Sequence, residues 1–247
     1  MKLPLLLLLL APILHGQNVV VLGDATTYGG HSDGPVYVQS DWYGSSYEAN
    51  QHNHGPQGIY LGGDNLTTAF LRPTNGTLST GSPAPGFAAY ANLSTLYTAP
   101  NAPVFDTTGQ NLKLVAPSGI SYYQVSGSAF GDYKTLDITG PGSVVFIVQG
   151  DIPAWRWSVN GDANRIVWNA STAQTVNIND RSLRGSLLAP DAHVTQHQNI
   201  DGFLLAEDWT VFNAAEVHWA ALPTVPEAGV PLLSILSALM LLRRRRA

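Results

Sequence analysis

This 247-residue sequence predicts an all-β domain, a right-handed β-solenoid (β-helix) with one flanking α-helix, and three observations carry that reading. A strand-like phrase recurs along the chain. The composition is poor in charge and rich in Gly, Asn, Ser, Thr and β-branched residues, a mixture that favours strands and turns over helices. One short segment alone carries a helical period.

The phrase runs VVVLGDAT from Val19, GPVYVQSD from Gly34, GIYLGGDN from Gly58, SVVFIVQGD from Ser143, GSLLAPDA from Gly185 and GFLLAEDW from Gly202. In most copies a glycine opens, alternating apolar residues follow, and an aspartate closes: Asp24, Asp41, Asp64, Asp151, Asp191 and Asp208. Alternation places the apolar side chains on one face of each strand, and a closing Asp that bonds its own backbone makes the next turn. The copies at Gly185 and Gly202 lie 17 residues apart and those at Gly34 and Gly58 lie 24 apart, intervals that one coil spans, the longer with an inserted loop. Consecutive copies share phase without a hairpin turn between them, which favours the solenoid. The alternative for the same pattern is a β-sandwich.

From Gly86 to Thr98, Phe87, Tyr90, Ala91, Leu93, Ser94 and Tyr97 recur at spacings of three and four, with Pro83 and Pro85 before and Pro100 and Pro103 after. The spacing predicts a single amphipathic helix that covers an apolar flank of the stack.

The two ends read as addresses. Residues 1–16 have Lys2, an apolar core from Leu3 to Leu14 and then Gly16 and Gln17, the plan of a secretory signal peptide. The sequence holds no cysteine, so lipoprotein processing and disulfides are excluded. At the other end, in the segment 224–247, Val225, Pro226, Glu227, Ala228 and Gly229 precede an apolar run from Val230 to Leu242 and then Arg243, Arg244, Arg245 and Arg246. Thirteen helical residues rise only about 20 Å, against about 30 Å of bilayer hydrocarbon, so the run is marginal as a permanent transmembrane span. The arginines are held on the cytoplasmic side by the positive-inside bias. This tail resembles the PEP-CTERM sorting signal of Gram-negative bacteria, with Ala228 where that family usually has a second proline. The resemblance implies transient insertion of residues 230–242 in the inner membrane and processing by an exosortase-type sorting protease.

The body, 17–223, resembles the choice-of-anchor A family of bacterial surface proteins. The resemblance is strongest from Arg165 to Trp219, through RIVWN, the run ASTAQTVNINDRSLRGSLLAPDAHVTQHQNIDGFLLAEDW and the Ala189-Pro190 turn. VVVLGDAT, GIYLGGDNLT, the helical segment and SYYQVSGSAF fall in the family's order. It implies an adhesive domain of the cell surface or extracellular matrix, related in style to β-helical proteins that pack a helix on the coils, with no enzymatic residues and no cofactor.

Without the two end segments, seven basic residues face sixteen acidic ones. A body of about nine net negative charges repels phosphate backbones and argues against a nucleic-acid partner. His52 and His54, at spacing two, are weak metal candidates; the ordinary role for such residues is a solvated loop. His193 and His197, at spacing four, lack the neighbouring glutamate and the helix of a zinc-protease motif. Two carboxylates flanking a sugar would suit glycoside hydrolysis, and Glu207 with Asp208, or Asp151 with Asp162, are the pairs to consider; closing aspartates also serve as turn formers. Trp155 and Trp157 flank Arg156 and point to one side of a strand, and Trp42, Tyr43 and Tyr47 cluster in a Gly/Ser-rich stretch. Exposed, these aromatics would stack on sugar rings; buried, they would fill the core.

The sequence therefore predicts an exported adhesin or structural component of extracellular polysaccharide in a biofilm, with polysaccharide or other surface proteins as partners and without catalysis. A carbohydrate-active hydrolase or lyase is the first alternative. An ice-binding surface protein is the second, which would need regular ranks of threonine at every coil, and the coils do not supply them.

Overall fold

The computed structural model describes residues 18–54, 58–68, 70–81 and 87–224. The signal-peptide segment and the sorting motif with its apolar run and arginines lie outside them. Among the described residues no helix is long and apolar enough to cross a membrane.

The domain is mostly β, and all strand pairings among the described residues are parallel, so a β-sandwich with antiparallel neighbours is not what forms. Residues 17 to 23 positions apart lie side by side: Val19 pairs with Val36, Val36 with Ile59, Leu187 with Leu204 and Ile120 with Ser143. The chain repeatedly returns onto itself, and three faces result.

The first face contains, in spatial order, β11 (Ile120–Ser126), β13 (Ser143–Gln149), β15 (Ile166–Asn169), the first half of β18 (Ser186–Gln196), the first half of β20 (Leu204–Val211), β1 (Val19–Val21), β3 (Val36–Val38), β6 (Ile59–Leu61) and β9 (Leu78–Thr80). The second contains β16 (Thr175–Ile178), the later halves of β18 and β20, β2 (Ala25–Thr27), β4 (Trp42–Gly44) and β7 (Asn65–Thr67). The third is formed by β10 (Asn111–Val115), β12 (Lys134–Thr139) and β14 (Trp157–Asn160), then β17 (Leu183–Arg184), β19 (Ile200–Asp201) and β21 (Val217–His218), and beyond them β5 (Tyr47–Ala49) and β8 (Leu71–Pro73).

The order of the stack is not the order of the chain. The N-terminal segment starts mid-stack at β1 and climbs to β9; after the helical segment the chain restarts at the far end with β10 and β11. It then descends until β20 lies beside β1, and this seam joins the two halves on all three faces: β1 on β20, β2 on β20, and Ser32 bridged to Val217.

Strand composition follows from which faces are covered. In β1 all three valines are buried, because Val19 and Val21 point into the core while Val20 points out under the helical segment. In β2 Ala25 and Thr27 are buried but Thr26 between them is only half-buried. Continuous apolar runs mark a strand buried on both sides, and alternation marks one with an open face. The helical segment is shorter in α-form than its periodicity predicts: an α-helix, α1, spans Phe87–Ala91, and a 3-10 helix follows from Leu93 to Tyr97. The amide of Thr95 and its hydroxyl both donate to the carbonyl of Asn92, the i to i+3 bonding that tightens a turn. Its covering role is as expected. Phe87, Tyr90, Leu93 and Tyr97 pack on Val20, Val145, Val167, Leu188 and Leu205, at roughly 1.5–3 kcal/mol for each large apolar side chain withdrawn from water. Buried Asn169 donates to the carbonyls of Ser94 (2.9 Å) and Tyr97 (2.8 Å), and Tyr97 Oη donates to the Pro223 carbonyl (2.7 Å), which fixes the cover in place.

The closing aspartates act between coils and not on their own turns. The Asp24 amide donates to Oδ1 of Asp208 (2.8 Å), the Asp41 amide to Asp24 Oδ1 (3.0 Å) and the Asp64 amide to Asp41 Oδ1 (2.7 Å). Asp151 Oδ1 likewise accepts from the amides of Gln174 and Thr175 in the next coil, and these bonds hold its carboxyl below the usual carboxylate range. Asp191 does not belong to the ladder, because a register shift between Ala189 and His193 sets His193 opposite Asp208. The ladder also explains the glycine before the aspartate: a Cβ on Gly63 would meet Oδ1 of Asp41 and the Ser40 backbone. Gly63→Ala is expected to cost about 1–3 kcal/mol in urea unfolding. Gly109→Ala, where a Cβ would find open space, is expected to be within about 0.5 kcal/mol of the parent.

Candidate functional site

Most of the aromatic residues that the sequence singled out are core. Trp42, Tyr47, Trp155 and Trp157 are each 0% exposed, so sugar stacking is closed to them. Trp155 and Trp157 do share one side of the chain, but that side is inward, where both pack on Phe130 with ring centroids at 4.6 Å. Trp42 meets Tyr47 and Trp209, and its indole N–H donates to the inward hydroxyl of Thr27 (3.0 Å). Only Tyr43 of the five faces outward, with its hydroxyl donated to Asp41 Oδ2 (3.1 Å); this bond and the surrounding carboxylates push its phenol up.

Tyr43 belongs to an ordered array on the second face, the one that α1 leaves open. Three outward ranks run across its strands. The first holds Thr175, His193, Asp208 and the ladder of Asp24, Asp41 and Asp64. The middle rank, in strict register, is Asn177, Thr195, Thr210, Thr26, Tyr43 and Leu66. In the third, His197 stacks on Phe212 (4.7 Å, 11°) and Phe212 on Tyr28 (5.1 Å, 12°). Neighbours within a rank are about 4.8 Å apart and ranks about 7 Å apart, as parallel strands dictate. The middle rank is uncharged and joins hydroxyls to methyl groups on a stiff backbone. A flat array of this kind suits an extended, repeating surface; small-molecule sites are concave.

The threonine rank is what sequence reasoning missed. Thr26 lies far from Thr195 and Thr210 in the chain, and they become neighbours only across the seam. A partial signal was present: after the closing Asp24 and Asp208, threonine stands at the second position and an aromatic at the fourth, as Thr26 and Tyr28 and as Thr210 and Phe212.

The other candidates are dispersed. His52 Nδ1 lies 2.9 Å from Asp33 Oδ1 and His54 stacks on Trp219 at 4.8 Å, and the two imidazoles meet edge to face with centroids 6.3 Å apart. His193 Nε2 is 3.2 Å from the Thr210 hydroxyl. Among the described residues no group of three or more His, Asp and Glu is arranged to hold a metal ion. Of the carboxylate pairs, Asp208 and Asp151 accept backbone amides, and Asp162 caps a short 3-10 turn at Asn164. Burial, then the carboxylates of Asp208 and Asp191, push Glu207 up.

A family model described as "Putative Ice-binding-like adhesive domain" matches residues 87–219, more than half of the sequence. The chain belongs to that family. No curated protein matches it. Among solved structures, a domain of ice-binding protein 1 from Shewanella frigidimarina is 17% identical, with a TM-score of 0.44, over 86% of this chain and 97% of that one. A glycosylated ice-binding protein from an Arctic yeast is 12% identical, with a TM-score of 0.39, over 88% and 95%. An ice-binding protein from an Antarctic biological consortium is 13% identical, with a TM-score of 0.34, over 85% and 89%. At these TM-scores the likenesses carry no argument.

On the third face a run of alternating charge crosses the same seam. Arg184 pairs with Asp201 (3.4 Å); Asp201 faces His218 Nδ1 (2.7 Å); Glu216 faces His218 Nε2 (2.9 Å) and His31 Nδ1 (3.3 Å). Burial works against a charged His218, but hydrogen bonds to Asp201 and Glu216 outweigh it and raise the imidazole above its ordinary value. A raised value in the folded state gives stability that is complete below the ordinary imidazole pKa and lost as pH rises through the folded one. The melting temperature of the chain is therefore expected to fall as pH rises above the ordinary imidazole value of about 6.5. His218→Gln is expected to flatten that slope, as read by calorimetry across the series.

Proposed function

We propose that this chain is an exported bacterial surface domain that adheres to ice through its second face. The observation that carries the reading is the in-register middle rank, where Thr195, Thr210 and Thr26 present hydroxyl and methyl groups on a fixed spacing with Asn177 and Tyr43 on either side. Such an array orders water at repeats of the same order as those of an ice plane, at little entropic cost, because β-branched side chains on a sheet are already stiff. Membership of an ice-binding-like adhesive family supports it. In this reading the stack is a right-handed β-solenoid, the hand that parallel crossover connections favour. It works without catalysis or cofactor in this reading, since Asp208, Asp151 and Asp162, three of the four carboxylates of the hydrolytic pairs, are spent on backbone amides. Residues 1–16 direct export. The choice-of-anchor A resemblance and the PEP-CTERM-like tail describe delivery to the outer surface or matrix, with Val225, Pro226 and Glu227 as the sorting motif.

Thr26→Tyr and Thr210→Tyr would each lift a bulky ring out of the plane while leaving the core alone. Each is expected to weaken inhibition of ice recrystallisation about tenfold, a change of about 1.4 kcal/mol in surface affinity, with an unchanged melting temperature. Full activity in both variants would refute the reading.

A second reading rests on a separate observation, the stacked His197, Phe212 and Tyr28, with Tyr28 52% exposed. Rings stacked in this way present their edges outward as an apolar strip, along which the C–H faces of an extended neutral polysaccharide can lie. If that is the surface bound, Tyr28→Ala abolishes retention on an insoluble neutral glucan and leaves ice recrystallisation inhibition untouched.

A further inference from the structure

The body is acidic, yet three of its seven basic side chains converge on one concavity of the third face. This concavity, of about 150 Å³, is lined by Lys134, Arg156 and Arg181 around Tyr133, with Asn111, Thr135 and Ser158 among its other walls. The last three are register partners on β10, β12 and β14 and form a short outward rank of amide and hydroxyl groups. The Arg156 guanidinium lies 5.2 Å from the centre of the Tyr133 ring and that of Arg181 lies 6.0 Å from it. Tyr133 is 57% exposed, so part of its ring stays available.

The cations differ in how far they are spoken for. Arg156 Nε donates to Asp180 Oδ2 (2.7 Å) and its Nη1 to the Gly131 carbonyl (3.0 Å), which fixes its plane beside the ring. Lys134 Nζ donates to the Gly109 carbonyl (3.1 Å) and lies 3.8 Å from Asp132. The Arg181 side chain has no carboxylate within ion-pair distance among the described residues, so its charge is uncompensated. A structural role explains Arg156 and Lys134; it does not explain why the free guanidinium stands over the same ring.

We infer that this concavity is a binding subsite for a carboxylated sugar, a uronic acid residue of an acidic polysaccharide. The planar guanidinium of Arg181 matches a planar carboxylate through paired N–H donors. The exposed part of Tyr133 gives the sugar ring an apolar platform, and Asn111, Thr135 and Ser158 supply donors and acceptors for its hydroxyls. The subsite is independent of the ice reading, because it lies on another face and shares no residue with the threonine rank.

Calorimetric titration of the mature chain with tetragalacturonate, at about 0.15 M salt to screen the acidic surface, tests the assignment. Parent protein is expected to bind it in preference to neutral maltotetraose, and Arg181→Glu to weaken binding about tenfold or more. Tyr133→Ala is expected to weaken it as well. Arg181 is exposed and bonds no neighbour through its side chain, so Arg181→Glu should melt as the parent does; ice recrystallisation inhibition provides a second check that the fold is kept. No binding by the parent, equal binding of the neutral sugar, or undiminished binding by Arg181→Glu would overturn the proposal. Binding of a sulfated tetrasaccharide in place of tetragalacturonate would overturn the carboxylate assignment.

Discussion

The rest of the molecule depends on one parallel pairing, that of β20 with β1. The coils before α1 and those after it each present an open end, with unpaired amides and carbonyls and apolar side chains facing along the stack. Val19, Val20 and Val21 against Leu204, Leu205 and Ala206 bring the ends together, and β2 continues the contact along the later half of β20. The Asp208 carboxylate reaches across to the Asp24 amide at the corner, and Glu216 reaches His31 on the third face. Hydrogen bonding, burial and charge therefore meet at the same junction.

That junction also determines which surfaces can do anything. The first face is spent on α1 and the 3-10 segment, whose aromatic residues turn it into a second core. The inner core takes five of the six tryptophans, and most of their N–H groups find partners there: Trp168 donates to the Arg184 carbonyl, Trp209 to Gln196, Trp157 to the Ala129 carbonyl. The second face is left flat, open and almost uncharged in its middle rank. The third carries ion pairs as an alternating run at the seam and a cationic concavity towards the far end, while the carboxylate ladder stays in the first rank of the second.

Much of this was legible in the sequence. The recurring phrase marked the strands, its interval of 17 matched the return from Leu187 to Leu204 and its interval of 24 overshot by one the return of 23 from Val36 to Ile59, and the period at Phe87, Tyr90, Leu93 and Tyr97 marked the cover. Other features were not legible, for identifiable reasons. Alternation tells that Trp155 and Trp157 share a side but not which side, and the inward one was decided by Phe130. The closing aspartates look like local turn formers because sequence shows a residue's own turn and not the amide one coil away. Asp191 fits the phrase, but the irregularity after Ala189 moves it out of register.

By itself, the sequence determined the element types, the coil length and the cover, because these depend on local periodicity and on turn residues within a few positions of one another. It also determined an acidic, cysteine-free body that must be held by burial and hydrogen bonds. Only the tertiary structure decided the order of the coils, and with it the rank of Thr195, Thr210 and Thr26. The physical reason is that the stack is discontinuous: pairing at the seam joins strands nearly two hundred residues apart, so a periodic surface is assembled from two pieces of chain in neither of which it is complete.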